Sequence, residues 1–266
     1  MNDLTLSLVQ MRSVLGEPDV NLEKMIGHIR TLSSGSDIIC FPEASLTGYT
    51  SAGPERFSLK LSDCRIKDLE KAAVDNDVTI VFGLLEQSDT GNHITQVIID
   101  EDGVLNTYRK THLGRGERTS ITQGEVIMPF RTPKATVGMQ ICWESHFPEI
   151  TCKLRKGGAE LILISYASPL GGQRRRDVWM KHLPARASDN GVFVGAVNSV
   201  GDNGKGSVFG GGSIVFDPKG NVLGEYFGPD EIVLTINLSS KVKDALGPDD
   251  DMGNIDYHIY RREDLY

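Results

Sequence analysis

Glu43, Lys110 and Cys142 are the side chains on which this sequence could build chemistry. They are an acid, an ammonium and a sulfur, 67 and 32 residues apart, each where a predicted strand ends. Side chains at strand ends can converge on one crevice. A thiol has an ordinary pKa of about 8.5 and becomes a useful nucleophile when a base takes its proton or a cation steadies the thiolate. Glu43 has the chemistry of the base and Lys110 that of the cation. A helix start expected at Pro148, shortly after Cys142, would add free amide hydrogens able to face a negative sulfur or oxyanion. Taken singly, each residue has a plainer reading: a cysteine packed as a small core residue, a solvated acid in a Phe41-Pro42-Glu43 turn, and Arg109-Lys110 as surface charges at a hairpin edge.

The elements that must position these residues follow from apolar periodicity, which switches repeatedly between two and 3.6 and so announces alternating strands and helices. Strands are expected over the first ten residues, Asp37 to Phe41, Val78 to Leu85, Ala135 to Ile141, Leu161 to Ser165, Val192 to Asn198, Gly212 to Phe216, Asn221 to Phe227 and Ile232 to Leu238. Asn92 to Asp100 and Val104 to Lys110 form a hairpin around Glu101-Asp102-Gly103, whose glycine supplies a positive φ. Helices are expected around Leu22 to Leu32 (capped by Asp19 or Asn21), around Ile66 to Ala73, from Pro148 to Gly157, and from Arg174 to Asn190 with a kink at Pro184. The segment Thr111 to Gly124 reads as a functional loop.

Composition bounds the rest. With 28 Lys+Arg against 36 Asp+Glu the formal charge is −8, which excludes a basic nucleic-acid binder. Hydrophobic residues at 39% and charged residues at 24% are globular values, and no apolar run approaches the ~20 residues of a membrane span. The N-terminus reads as a strand, not a signal peptide. Four cysteines, Cys40, Cys64, Cys142 and Cys152, with no Cys-x-x-Cys pair, suggest reduced thiols in the cytoplasm, with Cys40 and Cys152 packed. One domain spanning 1–266 is expected, with a polar tail from 239 to 266 engaged in subunit contacts.

Three segments together resemble the nitrilase superfamily of carbon-nitrogen hydrolases in their order and over most of the chain. Phe41-Pro42-Glu43 is similar to the family's glutamate segment and Tyr108-Arg-Lys-Thr-His-Leu113 to its lysine segment. Gly138-Met-Gln-Ile-Cys-Trp-Glu-Ser-His-Phe-Pro-Glu149 is similar to its cysteine segment. Lys156-Gly-Gly-Ala-Glu160, Pro184-Ala-Arg-Ala187 and the C-terminal Arg261 to Tyr266 add to the likeness. The resemblance implies an α-β-β-α sandwich, a homodimer paired through a helical face, no metal and no cofactor. It also implies a covalent acyl-thioester on Cys142, with Glu43 as general base and Lys110 stabilising the oxyanion. Glu117 is carried over as a second glutamate that orients substrate or lysine.

The substrate expected is a small amide, with nitriles and carbamoyl compounds as alternatives. The Ser145-His146 pair stands where hydrolases of carbamoyl-D-amino acids carry arginines. An acyl transferase or a non-catalytic binding protein on the same fold are the readings from other classes. Tyr49, Trp143, Tyr166 and Ser168 are the expected pocket-lining groups. Arg174-Arg-Arg176 could recognise a carboxylate, but three arginines opening a helix oppose its dipole and read as solvated or as a subunit contact. His146 and His112 offer a Cys-His alternative for the proton acceptor, and Glu144 a further acid with a solvated or capping role.

Overall fold

The computed structural model describes residues 1–246 and 255–265, so the tail expectation falls in part, at 247–254 and 266, outside the described residues. In chain order come β1 (Leu4–Gln10), α1 (Pro18–Leu32), β2 (Ile38–Cys40), α2 (Cys64–Asp75), β3 (Thr79–Ser88), β4 (Gly91–Ile99) and β5 (Leu105–Arg109). Then follow β6 (Phe130–Arg131), β7 (Thr136–Ile141), α3 (Pro148–Lys156), β8 (Leu161–Tyr166), α4 (Gly172–Trp179), α5 (Leu183–Ser188) and β9 (Phe193–Asn198). Last are β10 (Val200–Asp202), β11 (Val208–Gly210), β12 (Ser213–Phe216), β13 (Val222–Tyr226), β14 (Ile232–Leu238) and α6 (Ser240–Asp244). Two six-stranded sheets result, ordered β14-β1-β2-β3-β4-β5 and β13-β12-β9-β8-β7-β6, with β10-β11 as a separate ribbon.

Side-chain alternation makes the four layers. Leu6 and Leu8 of β1, Ile38 and Cys40 of β2, and Val81 of β3 face Val137, Met139 and Ile141 of β7 and Leu161 and Leu163 of β8 between the sheets. The residues in between, Val9, Ile39, Ile80 and Phe82, turn outward onto Leu22, Met25 and Ile29 of α1 and Ile66, Leu69 and Ala73 of α2. On the other side Ile162, Ile164, Val194 and Ala196 take Ile150 and Leu154 of α3, Trp179 of α4 and Leu183 of α5. This is the expected α-β-β-α sandwich. Gly195 lets the sheets approach, since a Cβ there would meet Leu6 and Leu163 at 3.0 and 3.2 Å. Among the described residues no helix is long and apolar enough to cross a membrane.

Three local expectations are corrected. Neither Asp19 nor Asn21 caps α1; the N-cap is Glu17 without a side-chain bond, and buried Asn21 instead holds the Val14 amide and carbonyl and the Leu46 carbonyl. The helix expected from Arg174 to Asn190 is two helices, with the break at 180–182. Pro184 sits in the first turn of α5, where its missing N–H costs nothing. The short β6 and the β10-β11 ribbon carried no alternation strong enough to announce a strand. The Gly103 and Gly220 turns adopt the positive φ that their hairpins require, +79° and +82°.

Candidate active site

Strands β1, β2 and β3 run parallel in one sheet, and β7, β8 and β9 run parallel in the other. The carboxyl ends of such strands are where open α/β sheets leave a crevice. Glu43 follows β2, Cys142 follows β7, and Tyr166 to Ser168 close β8. Ile141 pairs with Ser165 in register, so Cys142 and Tyr166 each follow the last paired position of β7 and β8. Polar straps join the sheets at this end. The Ser165 hydroxyl donates to the Phe41 carbonyl at 3.0 Å, and Gln96 Nε2 donates to Ser165 Oγ at 2.6 Å. The Ala167 amide donates to Glu43 Oε2 at 2.8 Å.

Lys110, directly after β5, is clasped between two acids. Its Nζ donates to Glu43 Oε1 at 2.9 Å and to Glu117 Oε1 at 2.7 Å, and all three side chains are buried. Glu117 is itself held by the Tyr49 hydroxyl at 2.7 Å and by the Gly114 amide at 2.6 Å. The structure therefore brings Glu43, Lys110 and Glu117 together, and Tyr49, expected to line a pocket, fastens Glu117. Burial drives up the pKa of the Tyr49 hydroxyl and the neighbouring carboxylates push it further, so it remains a neutral donor.

Burial also raises Glu43, to about 7, against the pull of the Lys110 ammonium. Burial works against a charged Lys110, but Glu43, Cys142 and Glu117 carry it well above the ordinary lysine range. The Cys142 thiol is pushed up to about 12, first by burial and then by Glu43, while Lys110 acts in the opposite direction. These mutual influences place the sulfur within the field of the same three groups.

Among the described residues, two of the three non-glycine residues with positive φ lie at this site: Cys142 at +50° and Ala44, next to Glu43, at +52°. A left-handed cysteine between a strand and a tight helical turn is strained backbone, of a kind that concentrates at functional sites. Room for the Ala44 turn comes from Gly83, whose absent Cβ would lie 2.3 Å from the Ala44 nitrogen. No sequence signal announces either conformation.

Glu144 was expected as a solvated or capping acid; it does cap, but it is fully buried. Its Oε2 accepts from the Ile141 amide at 2.8 Å, closing the turn that begins at Cys142. Its Oε1 accepts from the Thr111 amide (2.7 Å), the Thr111 hydroxyl (2.6 Å) and the Tyr108 hydroxyl (2.7 Å). One carboxylate thus ties the residue after Lys110 to the residue before Cys142. Only its position three residues past the turn's cap was legible; the cross-sheet partners were not. Glu144→Gln should place an amide NH₂ against the Ile141 N–H and cost about 1–3 kcal/mol. Urea denaturation at pH 7 measures the loss, and unchanged stability would remove this clamp from the account.

The remaining candidates are dispersed. Trp143 is 43% exposed, with its indole 5.7 Å from the His146 ring. His146 stacks on His182 at 4.4 Å, and His112 bonds Thr111 Oγ1 at 2.8 Å, so neither ring is hydrogen-bonded to Cys142. Tyr166 is buried against Trp179, ring centroids 4.8 Å apart. Ser168 is tied at its amide to Asn198 Oδ1 at 2.9 Å, and its hydroxyl accepts from Arg175. The Arg174-Arg-Arg176 reading is corrected at its centre: Arg174 is exposed and Arg176 pairs with Glu225, but Arg175 is only 5% exposed.

Comparison with known proteins shows the family. The carbon-nitrogen hydrolase family model matches residues 5–245. An (R)-stereoselective amidase from a Pseudomonas species is 30% identical, over 88% of this chain and 85% of that protein. A 2-oxoglutaramate amidase from Bacillus subtilis is 31% identical over 98% and 99%. The solved NitN amidase from Nesterenkonia sp. AN1 superposes with a TM-score of 0.83 at 27% identity, covering 98% of each chain. Another structure of that amidase shows covalent addition of the acetamide moiety of fluoroacetamide at its active site cysteine. The chain belongs to the carbon-nitrogen hydrolase family, the nitrilase superfamily, and is an enzyme of carbon–nitrogen bond hydrolysis.

Proposed function

We propose that the protein hydrolyses small carboxamides through a thioester on Cys142, with Glu43 and Lys110 completing a triad. The observation that carries this reading is the buried ammonium of Lys110 held between Glu43 and Glu117 in the field of Cys142. The amidase relatives, and the cysteine adduct recorded for one of them, support the choice of amides.

As the sulfur attacks the amide carbon, Glu43 accepts the thiol proton and a C–S bond forms. The carbonyl oxygen takes the electron pair, and the Lys110 ammonium stabilises its negative charge. Collapse breaks the C–N bond, and the proton held by Glu43 passes to the leaving nitrogen, releasing ammonia. Water then attacks the thioester while Glu43 takes its proton. The second collapse expels sulfur, which recovers that proton, and frees the acid. A carboxyl raised to about 7 suits this exchange, because a base is most effective with its pKa near the working pH. Glu117, anchored by Tyr49, holds the ammonium in place throughout.

Intact-mass spectrometry of the protein mixed with a panel of small amides tests the reading. An acyl adduct confined to Cys142, together with ammonia release when water is the sole acceptor, is expected. Turnover without any adduct on rapid quenching, or release that requires an added amine, would refute hydrolysis through the thioester.

A further inference from the structure

Arg175 occupies a costly position. It is the fourth residue of α4, and the residue is only 5% exposed. Arg176 beside it pairs with Glu225 at 2.8 Å, whereas among the described residues no carboxylate lies within ion-pair distance of Arg175. Its charge stacks over the rings of Tyr166 and Trp179 at 5.4 and 5.2 Å, its Nε donates to the Leu170 carbonyl at 3.1 Å, and its Nη2 donates to Ser168 Oγ. Nη1 has no hydrogen-bond partner among the described residues. Gly212 leaves room for the arginine's stem, since a Cβ there would meet it at 3.0 Å.

The guanidinium also sits beside the candidate active site. Tyr166, Ala167 and Ser168 run between the two: Tyr166 is stacked under Arg175 and follows Ser165, the strand partner of Ile141, the Ala167 amide holds Glu43, and the Ser168 hydroxyl meets Arg175. Asn198 fixes this segment from behind, bonding the Ser168 amide and carbonyl at 2.9 and 3.0 Å. Arg175 and Cys142 lie close enough that each charge bears on the other. A buried guanidinium without a counter-charge is expensive, and stacking on aromatic faces offsets only part of that cost. A carboxylate delivered by a ligand would supply the rest through the fork geometry that arginine offers.

We propose that Arg175 receives an anionic group on the acyl portion of the substrate, so that the preferred amides are monoamides of short dicarboxylic acids. This rests on the amidase reading above and specifies its substrate class. The test compares kcat/KM for succinamate and glutaramate with that for their neutral isosteres, 4-methylpentanamide and 5-methylhexanamide, by ammonia release. The wild-type enzyme should favour an anionic member over its isostere by at least about tenfold, as expected for one charge-assisted hydrogen-bonded contact. Arg175→Gln should shrink that ratio at least about tenfold, and Arg175→Lys, which keeps the charge without the fork, should restore part of it. The ratio is the readout because a general structural defect lowers both rates together. Equal or better turnover of the neutral amides by the wild-type enzyme would overturn this inference while leaving the amidase reading intact. A wild-type ratio that survives in Arg175→Gln would overturn it equally. Absence of turnover on all four, with Cys142 unacylated, would defeat both. The wild-type ratio decides alone if the variants do not fold.

Discussion

Cys142→Ala should abolish turnover, by about 10⁴-fold or more in kcat, as expected when a covalent nucleophile is lost from a site whose other groups remain. The substitution leaves the Lys110 clasp and the Glu144 clamp untouched, because neither bonds the sulfur. It removes a single half-buried atom, so unfolding free energy should change by no more than about 1 kcal/mol. Amide binding should therefore persist without ammonia release or an adduct in the mass spectrum. Isothermal titration with an amide, run beside the ammonia assay, separates the two. Ordinary turnover in this variant would exclude the sulfur from the chemistry, and the Cys-His alternative would fall with it.

Lys110→Met should damage both catalysis and folding. Loss of the charge facing the developing oxyanion costs about 10²–10³-fold in kcat. Removing one partner from a buried ionic cluster costs about 3–5 kcal/mol, because Glu43 and Glu117 then face each other unneutralised. The sign of the pH dependence follows. Glu43 is already raised by burial, and Lys110 is the charge that pulls it down. Without that charge its folded-state pKa rises further above the unfolded value of about 4.3. A carboxyl raised on folding is stable in its protonated form and loses that contribution as pH climbs through the folded-state value. The variant's deficit relative to wild type should accordingly be larger at pH 8 than at pH 5. Urea denaturation at the two pH values measures it; a deficit independent of pH would show that the two acids are not in contact with the lysine in solution.

Much of this arrangement was legible because strand-end placement and alternation are local signals. Leu6, Leu8, Ile38 and Cys40 alternate with Val9, Ile39 and Phe41, and that two-residue pattern alone separates the inter-sheet layer from the helix-facing layer. Glu43, Lys110 and Cys142 each lie one to three residues past a strand, but that placement alone favoured plainer readings. It was the ordered resemblance of their segments to the nitrilase superfamily that singled them out, and Glu117 was carried over from the same resemblance. The partners that hold them were not recoverable. Glu144 has the same local spacing whether it faces solvent or Thr111, and only the meeting of two distant segments decides. Arg175 sits in a run of three cations that reads as uniformly wet. Its burial depends on Tyr166 and Trp179 closing over it from a strand and from its own helix. The break at 180–182 escaped for a related reason: Pro184 marks a discontinuity but does not say on which side of it the chain turns.

The straps at the crevice end bear on more than the reaction. Apolar surfaces penalise gaps but are nearly indifferent to direction, so the Leu, Ile and Val faces of the two sheets would tolerate a small slide past one another. The bonds from Ser165 to Phe41, from Ala167 to Glu43 and from Thr111 to Glu144 would not, since each loses most of its strength within a few tenths of an ångström and a few tens of degrees. The opposite rim is tied as well, by the Lys134–Asp37 ion pair at 2.9 Å and the Asn2 amide on the Lys134 carbonyl at 3.0 Å. At the crevice rim, however, the bonds that align the two halves include those of the acid itself, so a slide of the halves there would also mis-aim the reagents.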